Sequence, residues 1–330
     1  MHPFTPSYYV RRRSAVKCAI TWSLLLFLGF CNFAFGNQKL IVISSSEASV
    51  YQQAVRAFEQ GVAQSDLLST YSLNHFQLDA LKKNNKLANA ADGDAIITIG
   101  SAAADYASRH FTGIPILCGF ITRNAFSAIT SKNPGNPTIS AIFIDQSFNR
   151  LLNLASLLRE DQSPFKIGLL SQSTQAIKNL SNQTNHSDKD MLVELATLQA
   201  GNNPMNVIKP LMQASDIFIV RPNTSLFNRL VAKLVLQLSM RYRTPVIGFS
   251  KNYAQAGALL SLYASPEDIG VDTAKNLEQW LAAPETETPE ASEGRTFSIV
   301  VNPHIAEKMS VQLAPEKLKV DLRRMEEESF

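Results

Sequence analysis

The sequence has few of the residues from which disulfides, metal sites and nucleophilic catalytic sites are built. Its 330 residues include three cysteines and five histidines. Cys18 and Cys31 lie in the N-terminal segment discussed below, so Cys118 has no partner for an internal disulfide. The run 115–121 around Cys118 is apolar and contains no base or cation. We therefore expect a buried thiol on a strand rather than a reactive nucleophile.

Sequence motifs for cofactors and metals are also absent. No Gly-x-Gly-x-x-Gly and no Gly-x4-Gly-Lys-Ser/Thr loop follows a strand-like segment, so no cradle for a nucleotide is recognisable. The four histidines beyond residue 36 are never three or four residues apart, which is the spacing that places two imidazoles on one helix face. The segment Gly248-Phe249-Ser250-Lys251-Asn252 approaches a nucleophile elbow but lacks the second glycine.

The first 36 residues have the three parts of a secretory signal. Four basic residues at positions 11–17 come first, an apolar stretch from Ala19 to Phe30 follows, and small residues stand around Gly36. The apolar stretch is too short to cross the ~30 Å hydrocarbon core of a membrane comfortably as a helix. We predict a signal peptide over residues 1–36 that is cleaved after Gly36, with an uncleaved membrane anchor as the alternative.

The residue before Cys31 bears on membrane anchoring. A lipoprotein signal has a small residue directly before the cysteine that receives the lipid, whereas this chain has the bulky Phe30. We therefore expect a protein that is released in soluble form into the periplasm of a Gram-negative cell.

The charge pattern argues against nucleic acid as a partner. Four of the 31 basic residues and none of the 28 acidic ones lie in residues 1–36, so the remainder carries 27 basic and 28 acidic residues and a formal net charge of −1. A surface for nucleic acid or an anionic membrane needs clustered Lys and Arg. The remainder has only short basic pairs such as Arg323-Arg324.

Short runs rich in β-branched residues alternate with helical patterns along the rest of the chain. This alternation is typical of parallel sheets built from βαβ units, and it predicts an α/β fold. A polar stretch near residue 135 predicts that the chain crosses from a first lobe to a second. The predicted strands are 39–44, 68–73, 95–99, 114–121, 139–144, 166–170, 192–197, 216–220, 245–249, 258–263 and 296–301.

Small polar residues follow predicted strands in both halves of the chain. Ligands of open α/β sheets bind beyond the carboxyl ends of the strands, where backbone N–H and hydroxyl groups hold a polar group. Any one of these residues could instead only cap the helix that follows, but their recurrence in both halves favours a ligand cleft. The groups are Ser44-Ser45-Ser46 with Tyr51, Gly100-Ser101, Ser171-Gln172-Ser173, Arg221-Pro222-Asn223 and Ser250-Lys251-Asn252.

One long stretch resembles a known family. Residues 243–270, RTPVIGFSKNYAQAGALLSLYASPEDIG, are similar to the signature region of the ABC transporter substrate-binding family that includes tryptophan- and tyrosine-binding lipoproteins. Shorter matches at 42–46, 50–54, 97–101 and 297–302 follow in family order. The resemblance implies a type I periplasmic binding protein, in which two Rossmann-like lobes with parallel sheets are joined by a three-crossover hinge and close on a small solute.

The resemblance also implies lobe boundaries and site residues. Lobe 1 would cover 37–140 and 258–295, and lobe 2 would cover 141–257 and 296–330. Relatives often have an acidic residue near Asn223, whereas this chain has Arg221-Pro222-Asn223-Thr224, so the resemblance does not extend to recognition of a ligand ammonium there. Carried over by position, the residues lining the cleft would be Ser45, Ser46, Tyr51, Gly100, Ser101, Ser171, Asn223 and Ser250.

The sequence thus predicts an exported solute-binding protein with no catalytic residue, cofactor or metal. We expect a monomer that captures a small polar ligand, such as an amino acid, for delivery to an ABC permease. One alternative is a periplasmic sensory subunit that is read by a membrane kinase or receptor. The other is an exported α/β hydrolase that uses Ser250 as its nucleophile.

Overall fold

The computed structural model describes residues 38–83, 93–134, 138–159, 164–172, 191–223, 226–283 and 288–328. The predicted signal peptide, with Cys31 and the cleavage position after Gly36, lies outside these residues. No helix within the described ranges is long and apolar enough to span a membrane.

The described residues form twelve strands, which fall into two sheets of six. In chain order the strands are β1 (Gln38–Ser44), β2 (Tyr71–Gln77), β3 (Ala95–Ile99), β4 (Ile116–Ile121), β5 (Ile139–Phe143), β6 (Phe165–Ser171), β7 (Met191–Thr197), β8 (Ile217–Ile219), β9 (Val246–Gly248), β10 (Leu260–Tyr263), β11 (Ser292–Glu293) and β12 (Ser298–Val301).

The two sheets repeat one topology. The first has the order β11-β5-β4-β3-β1-β2 and the second the order β12-β10-β9-β8-β6-β7. Each sheet is therefore a doubly wound sheet of five strands in the order 2-1-3-4-5, with one further strand at its edge. The pairings β1–β3 and β6–β8 are parallel, whereas β12 runs antiparallel to β10. The predicted α/β architecture with two Rossmann-like lobes is confirmed.

Helices cover both faces of the sheets. A parallel sheet covered on both faces has strands that are apolar throughout rather than alternating, and every residue of β3 is buried. In chain order the described helices are α1 (Ser49–Ala63), α2 (Leu78–Lys83), α3 (Ser101–His110), α4 (Arg123–Lys132), α5 (Phe148–Ser156), α6 (Pro204–Gln213), α7 (Arg229–Tyr242), α8 (Lys251–Gln255), α9 (Pro266–Ala282), α10 (Pro303–Met309) and α11 (Pro315–Glu327).

The chain crosses between the two sheets three times. It leaves the first sheet after β5, returns to it after β10, and leaves it again between β11 and β12. On the return, α9 packs against α1 of the first lobe. Ser265 caps α9 in a capping box with Asp268, so the helix begins directly after the crossover.

Two predicted lobe boundaries need correction. The boundary at residue 258 assigned β10 to the first lobe, but β10 pairs with β9 of the second sheet, with Leu260 opposite Ile247. The glycine turn at Gly257 connects α8 to this strand within the same lobe, and the chain changes lobes only before Ser265. The boundary at residue 140 divides β5, whose residue Phe143 still pairs with β4 in the first sheet.

Cys118 lies on β4 and has no exposed surface. Burial raises the pKa of its thiol to about 12, so the thiol stays protonated at neutral pH and is a poor nucleophile. The predicted buried strand thiol is confirmed.

Candidate functional site

Strand order locates the ligand-binding edge of each lobe. A doubly wound sheet binds ligands at the carboxyl end where the strand order reverses, between its first and third strands. Here these are β1 and β3 in the first lobe and β6 and β8 in the second. The segments that follow these four strands begin at Ser45, Gly100, Gln172 and Val220.

The polar residues after β1 and β3 are in direct contact. The Oγ of Ser45 accepts a hydrogen bond from the backbone N–H of Ala103 over 2.9 Å. Gly100 has a φ of 101°, and a Cβ at this position would lie 2.5 Å from both Ser45 Oγ and Tyr51 Cε1. Only glycine fits there, both in conformation and in space. Ser45, Tyr51 and Gly100 are thus brought together, and Ser101 follows as the first residue of α3.

An aromatic pair borders this cluster. The ring centroids of Tyr51 and Phe120 are 5.5 Å apart in an edge-to-face arrangement. Phe120 has a φ of 54° and lies where the register of β4 with β5 shifts, between Cys118 and Ile121. The sequence pattern does not single out Phe120, because its strand is a continuous apolar run and the bulge is invisible in it.

The polar residues after β6 and β8 also meet. Ser171 ends β6 and is buried. The Nδ2 of Asn223 donates to Oε1 of the neighbouring Gln172 over 3.4 Å, and the Oδ1 of Asn223 accepts from the N–H of Leu226 over 3.0 Å. The second lobe therefore has its own polar group at the position that corresponds to the Ser45 cluster.

The remaining two predicted site residues act as local caps. Ser46 Oγ accepts from the N–H of Ala48 over 3.3 Å, and Ser250 Oγ accepts from the N–H of Tyr253 over 3.2 Å at the start of α8. Ser250 lines a pocket of about 760 Å³ between α7, α8 and α10, which all belong to the second lobe. Within the described ranges no histidine or carboxylate is hydrogen-bonded to Ser250, so the hydrolase alternative lacks a base there.

A second pocket, the hinge pocket, lies where the two lobes join. Its volume is about 180 Å³. Residues of the first lobe, of the first crossover and of the second lobe all contribute to it, so a molecule bound there would contact both lobes. The hinge pocket is lined by Arg123, Gln146, Ser147, Phe148, Asn149, Arg221 and Glu293.

Charged groups concentrate in and beside the hinge pocket. Arg123 Nη2 is 2.8 Å from Glu293 Oε2, and the backbone N–H of Arg123 donates to Asp145 Oδ2 over 2.6 Å. Burial raises the pKa of Asp145, against the opposing effects of the Arg123 N–H and the two arginine charges. Burial also lowers the pKa of Arg221, and the charge of Asp145 opposes this shift. Taking charge out of water causes both shifts.

Several residues in and beside the hinge pocket also follow the carboxyl ends of strands, as the predicted site residues do. Arg123 and Thr122 follow β4, and Asp145 and Gln146 follow β5 shortly after its last residue. The same reasoning that selects Ser45 and Gly100 would have selected them, although the pairing of Arg123 with Glu293 spans 170 residues and leaves no sequence signal. Metal binding finds no support in the described part of the chain, which contains no cluster of three His, Cys, Asp or Glu.

Comparisons with known proteins agree with this architecture. The family described as ABC transporter substrate binding protein matches residues 52–323. A comparison with curated protein sequences found no match.

Several solved structures are similar to the chain. A ligand-free, open substrate-binding protein with adhesive properties from Clostridium difficile is 16% identical, with a TM-score of 0.61 over 84% of this chain and 96% of that one. A conserved domain protein from Vibrio cholerae is 16% identical, with a TM-score of 0.51 over 86% and 98% of the two chains. A Streptococcus pneumoniae domain in complex with L-Trp is 15% identical, with a TM-score of 0.49 over 85% and 98%.

These identities are low enough that the structures speak only to the fold. The family match, in contrast, covers most of the chain, from the first helix to the last. The chain belongs to the ABC transporter substrate-binding protein family and has the type I periplasmic binding protein fold.

Proposed function

We propose that this protein captures a small polar solute between its two lobes and delivers it to an ABC permease. The observation that carries the proposal is the hinge pocket, because its lining combines Arg123 and Glu293 of the first lobe with Arg221 of the second. A solute in this position interacts with both lobes at once. Family membership supports a binding role rather than catalysis.

The physical basis of capture is a shift between open and closed populations. A ligand favours the closed state only by the difference between its affinities for the two states. Contacts to Arg221 and to the first-lobe residues exist together only when the lobes are close, so these contacts supply that difference. The three crossover segments are the natural hinge, since they alone connect the lobes covalently. A permease can then distinguish the closed form from the open one.

The proposal predicts that a small solute stabilises the purified protein and compacts it. A thermal-shift screen would cover amino acids, purines, sugars and vitamins, and X-ray scattering would follow the radius of gyration for each hit. A solute at about 100 times its Kd adds about 2.7 kcal/mol to the free energy of unfolding, which moves the melting temperature by several degrees. A screen with no hit, or turnover of any hit that is lost in Ser250→Ala, would contradict the proposal.

We further infer that the working protein is periplasmic and begins at Asn37. Expression of the full chain in a Gram-negative host should give a periplasmic protein whose intact mass corresponds to cleavage after Gly36. The comparison variant is Phe30→Gly, which places a small residue before Cys31 and should move part of the protein into the membrane fraction. Lipid on Cys31 of the unaltered chain, or recovery of all 330 residues from the membrane, would overturn the inference.

A further inference from the structure

Arg221 is the cation of the hinge pocket that donates no hydrogen bond to any described residue. Its guanidinium lies 5.9 Å from the centroid of the Phe148 ring. In the part of the chain that the structure describes, it forms no ion pair and no hydrogen bond, although it is partly buried. A guanidinium has five N–H donors, and leaving them unpaired away from water is costly. Arg221 therefore calls for an acceptor from outside the chain.

The other charged groups of the pocket already have partners. Arg123 is ion-paired with Glu293 and its guanidinium lies 4.3 Å from the centroid of the Phe143 ring. Asp145 accepts the backbone N–H of Arg123. Arg123, Glu293 and Asp145 are thus held within the first lobe and its crossover. Arg221 faces them from the second lobe, and no described carboxylate is hydrogen-bonded to it.

Gln146 supplies an unpaired donor in the same pocket. The residue is 6% exposed, and its Oε1 accepts from Arg150 Nη1 over 2.8 Å. The Nε2 of Gln146 and the Oδ1 of Asn149 are both buried, and neither has a hydrogen-bond partner among the described residues. Buried polar atoms in folded proteins are nearly always paired. Gln146 and Asn149 thus mark the pocket as a site built for a further molecule.

We propose that the hinge pocket binds the carboxylate of the captured solute, with Arg221 and Gln146 Nε2 as donors to its oxygens. The inference rests on the proposed function and specifies its ligand class. Asn149 also lines the pocket and has an unpaired acceptor in Oδ1, so we expect a small carboxylic acid with a polar substituent, such as a 2-hydroxy or 2-amino acid, or a larger molecule with that head group. The volume of about 180 Å³ equals that of about six waters in the liquid, enough for such a head group.

The test compares carboxylic acids with their neutral amides. The probes are L-lactate and L-lactamide, L-tryptophan and L-tryptophanamide, and the neutral sugars ribose and arabinose; every acid found in the wider solute screen is added with its amide. Binding is measured by thermal shift and calorimetry for the unaltered protein and for Arg221→Met, Arg221→Lys and the control Arg241→Met. Arg241 is an exposed arginine in the last turn of α7 in the same lobe.

We expect acids to bind at least about tenfold more tightly than their amides, since a charge-assisted hydrogen bond contributes that much or more. Arg221→Met should abolish this preference, Arg221→Lys should keep part of it, and Arg241→Met should keep all of it. Without ligand, Arg221→Met should melt close to the unaltered protein, because the guanidinium donates no hydrogen bond to the described residues and Asp145 keeps the charge of Arg123 beside it. A residue that only supported the fold would lower that melting temperature.

The outcomes separate this inference from the proposed function. Sugars or amides that bind as tightly as acids, with affinities unchanged in Arg221→Met, would overturn the carboxylate assignment and leave solute capture standing. The acid–amide comparison on the unaltered protein decides the same point if Arg221→Met does not fold. A protein that no compound stabilises would contradict both.

Discussion

Replacing Gly270 with alanine is expected to destabilise the protein by about 3 kcal/mol or more, although it adds a single methyl group. Gly270 lies on α9 where this helix crosses α1. A Cβ at Gly270 would lie 2.3 Å from the backbone oxygen of Ala54 and 2.9 Å from the backbone nitrogen of Phe58. Backbone atoms cannot rotate away as a side chain can, so the two helices would have to separate.

The direction of the stability change in Gly270→Ala distinguishes a close helix contact from an exposed helix position. In an exposed helix interior, alanine in place of glycine stabilises by about 1 kcal/mol, because it reduces the entropy of the unfolded chain. Separation of α9 from α1 would instead open the apolar cluster to which Ala54, Phe58, Ala274 and Leu277 belong. A loss of stability thus reports the close approach of the two helices directly.

Gly61 on α1 provides the graded comparison. A Cβ at Gly61 would lie 2.7 Å from the Cβ of Ala274, a side-chain atom rather than backbone. Gly61→Ala should therefore cost less, about 1–2 kcal/mol, and the second substitution Ala274→Gly should recover most of that loss. No such rescue is expected for Gly270→Ala. Urea unfolding followed by circular dichroism measures the three variants and the unaltered protein, and equal stability of Gly270→Ala and the unaltered protein would contradict the helix crossing.

The sequence is a good guide to the strands and helices. A sheet that is buried on both faces has strands that are apolar throughout, and such runs are visible in the local sequence. β3 is a run of five apolar residues, all of them buried, and the capped start of α9 at Ser265 is visible as Ser-Pro-Glu-Asp. The error at residues 68–73 shows the limit of local patterns. Ser65 accepts the N–H of Leu67 and starts a 3-10 turn over Asp66–Ser69, so strand β2 begins only at Tyr71.

Lobe membership is much harder to predict, because it depends on which strand lies next to which. β10 is an apolar run that would suit either sheet, and only its pairing with β9 assigns it to the second lobe. The candidate site divides in the same way. Ser45 and Gly100 follow strands and are predictable, whereas the hinge pocket depends on Glu293, which reaches Arg123 only because the second crossover returns the chain to the first sheet.

Arg150 is expected to be the most sensitive charged residue outside the pocket. It is 7% exposed, and its Nε donates to Glu326 Oε1 over 2.5 Å. Its Nη1 donates to Gln146 Oε1 over 2.8 Å and to the carbonyl of Gly294 over 3.1 Å, and its guanidinium lies 4.6 Å from the centroid of the Phe297 ring. One side chain thus holds the C-terminal helix, the third crossover and a residue of the hinge pocket.

Arg150→Met should lower the free energy of unfolding by about 3 kcal/mol, because the groups that Arg150 binds would stay buried without a hydrogen-bond partner. It should also weaken solute binding, since the amide of Gln146 loses the bond that orients it. The matched control is Arg324→Met on α11. Arg324 pairs with Asp321 over 3.2 Å, but its side chain is 64% exposed, and removing a pair of this kind costs under about 0.5 kcal/mol.

A double variant separates the charge network from simple loss of packing. The double variant Arg150→Met with Glu326→Met also removes the carboxylate that lost its partner, so part of the lost stability should return. Solute binding should not return with it, because Gln146 still lacks its partner. Urea unfolding and calorimetry with the best solute of the screen measure the two quantities separately. If Arg150→Met were no less stable than Arg324→Met, the network would have no role in joining the crossover to the second lobe, and the hinge pocket would need another support.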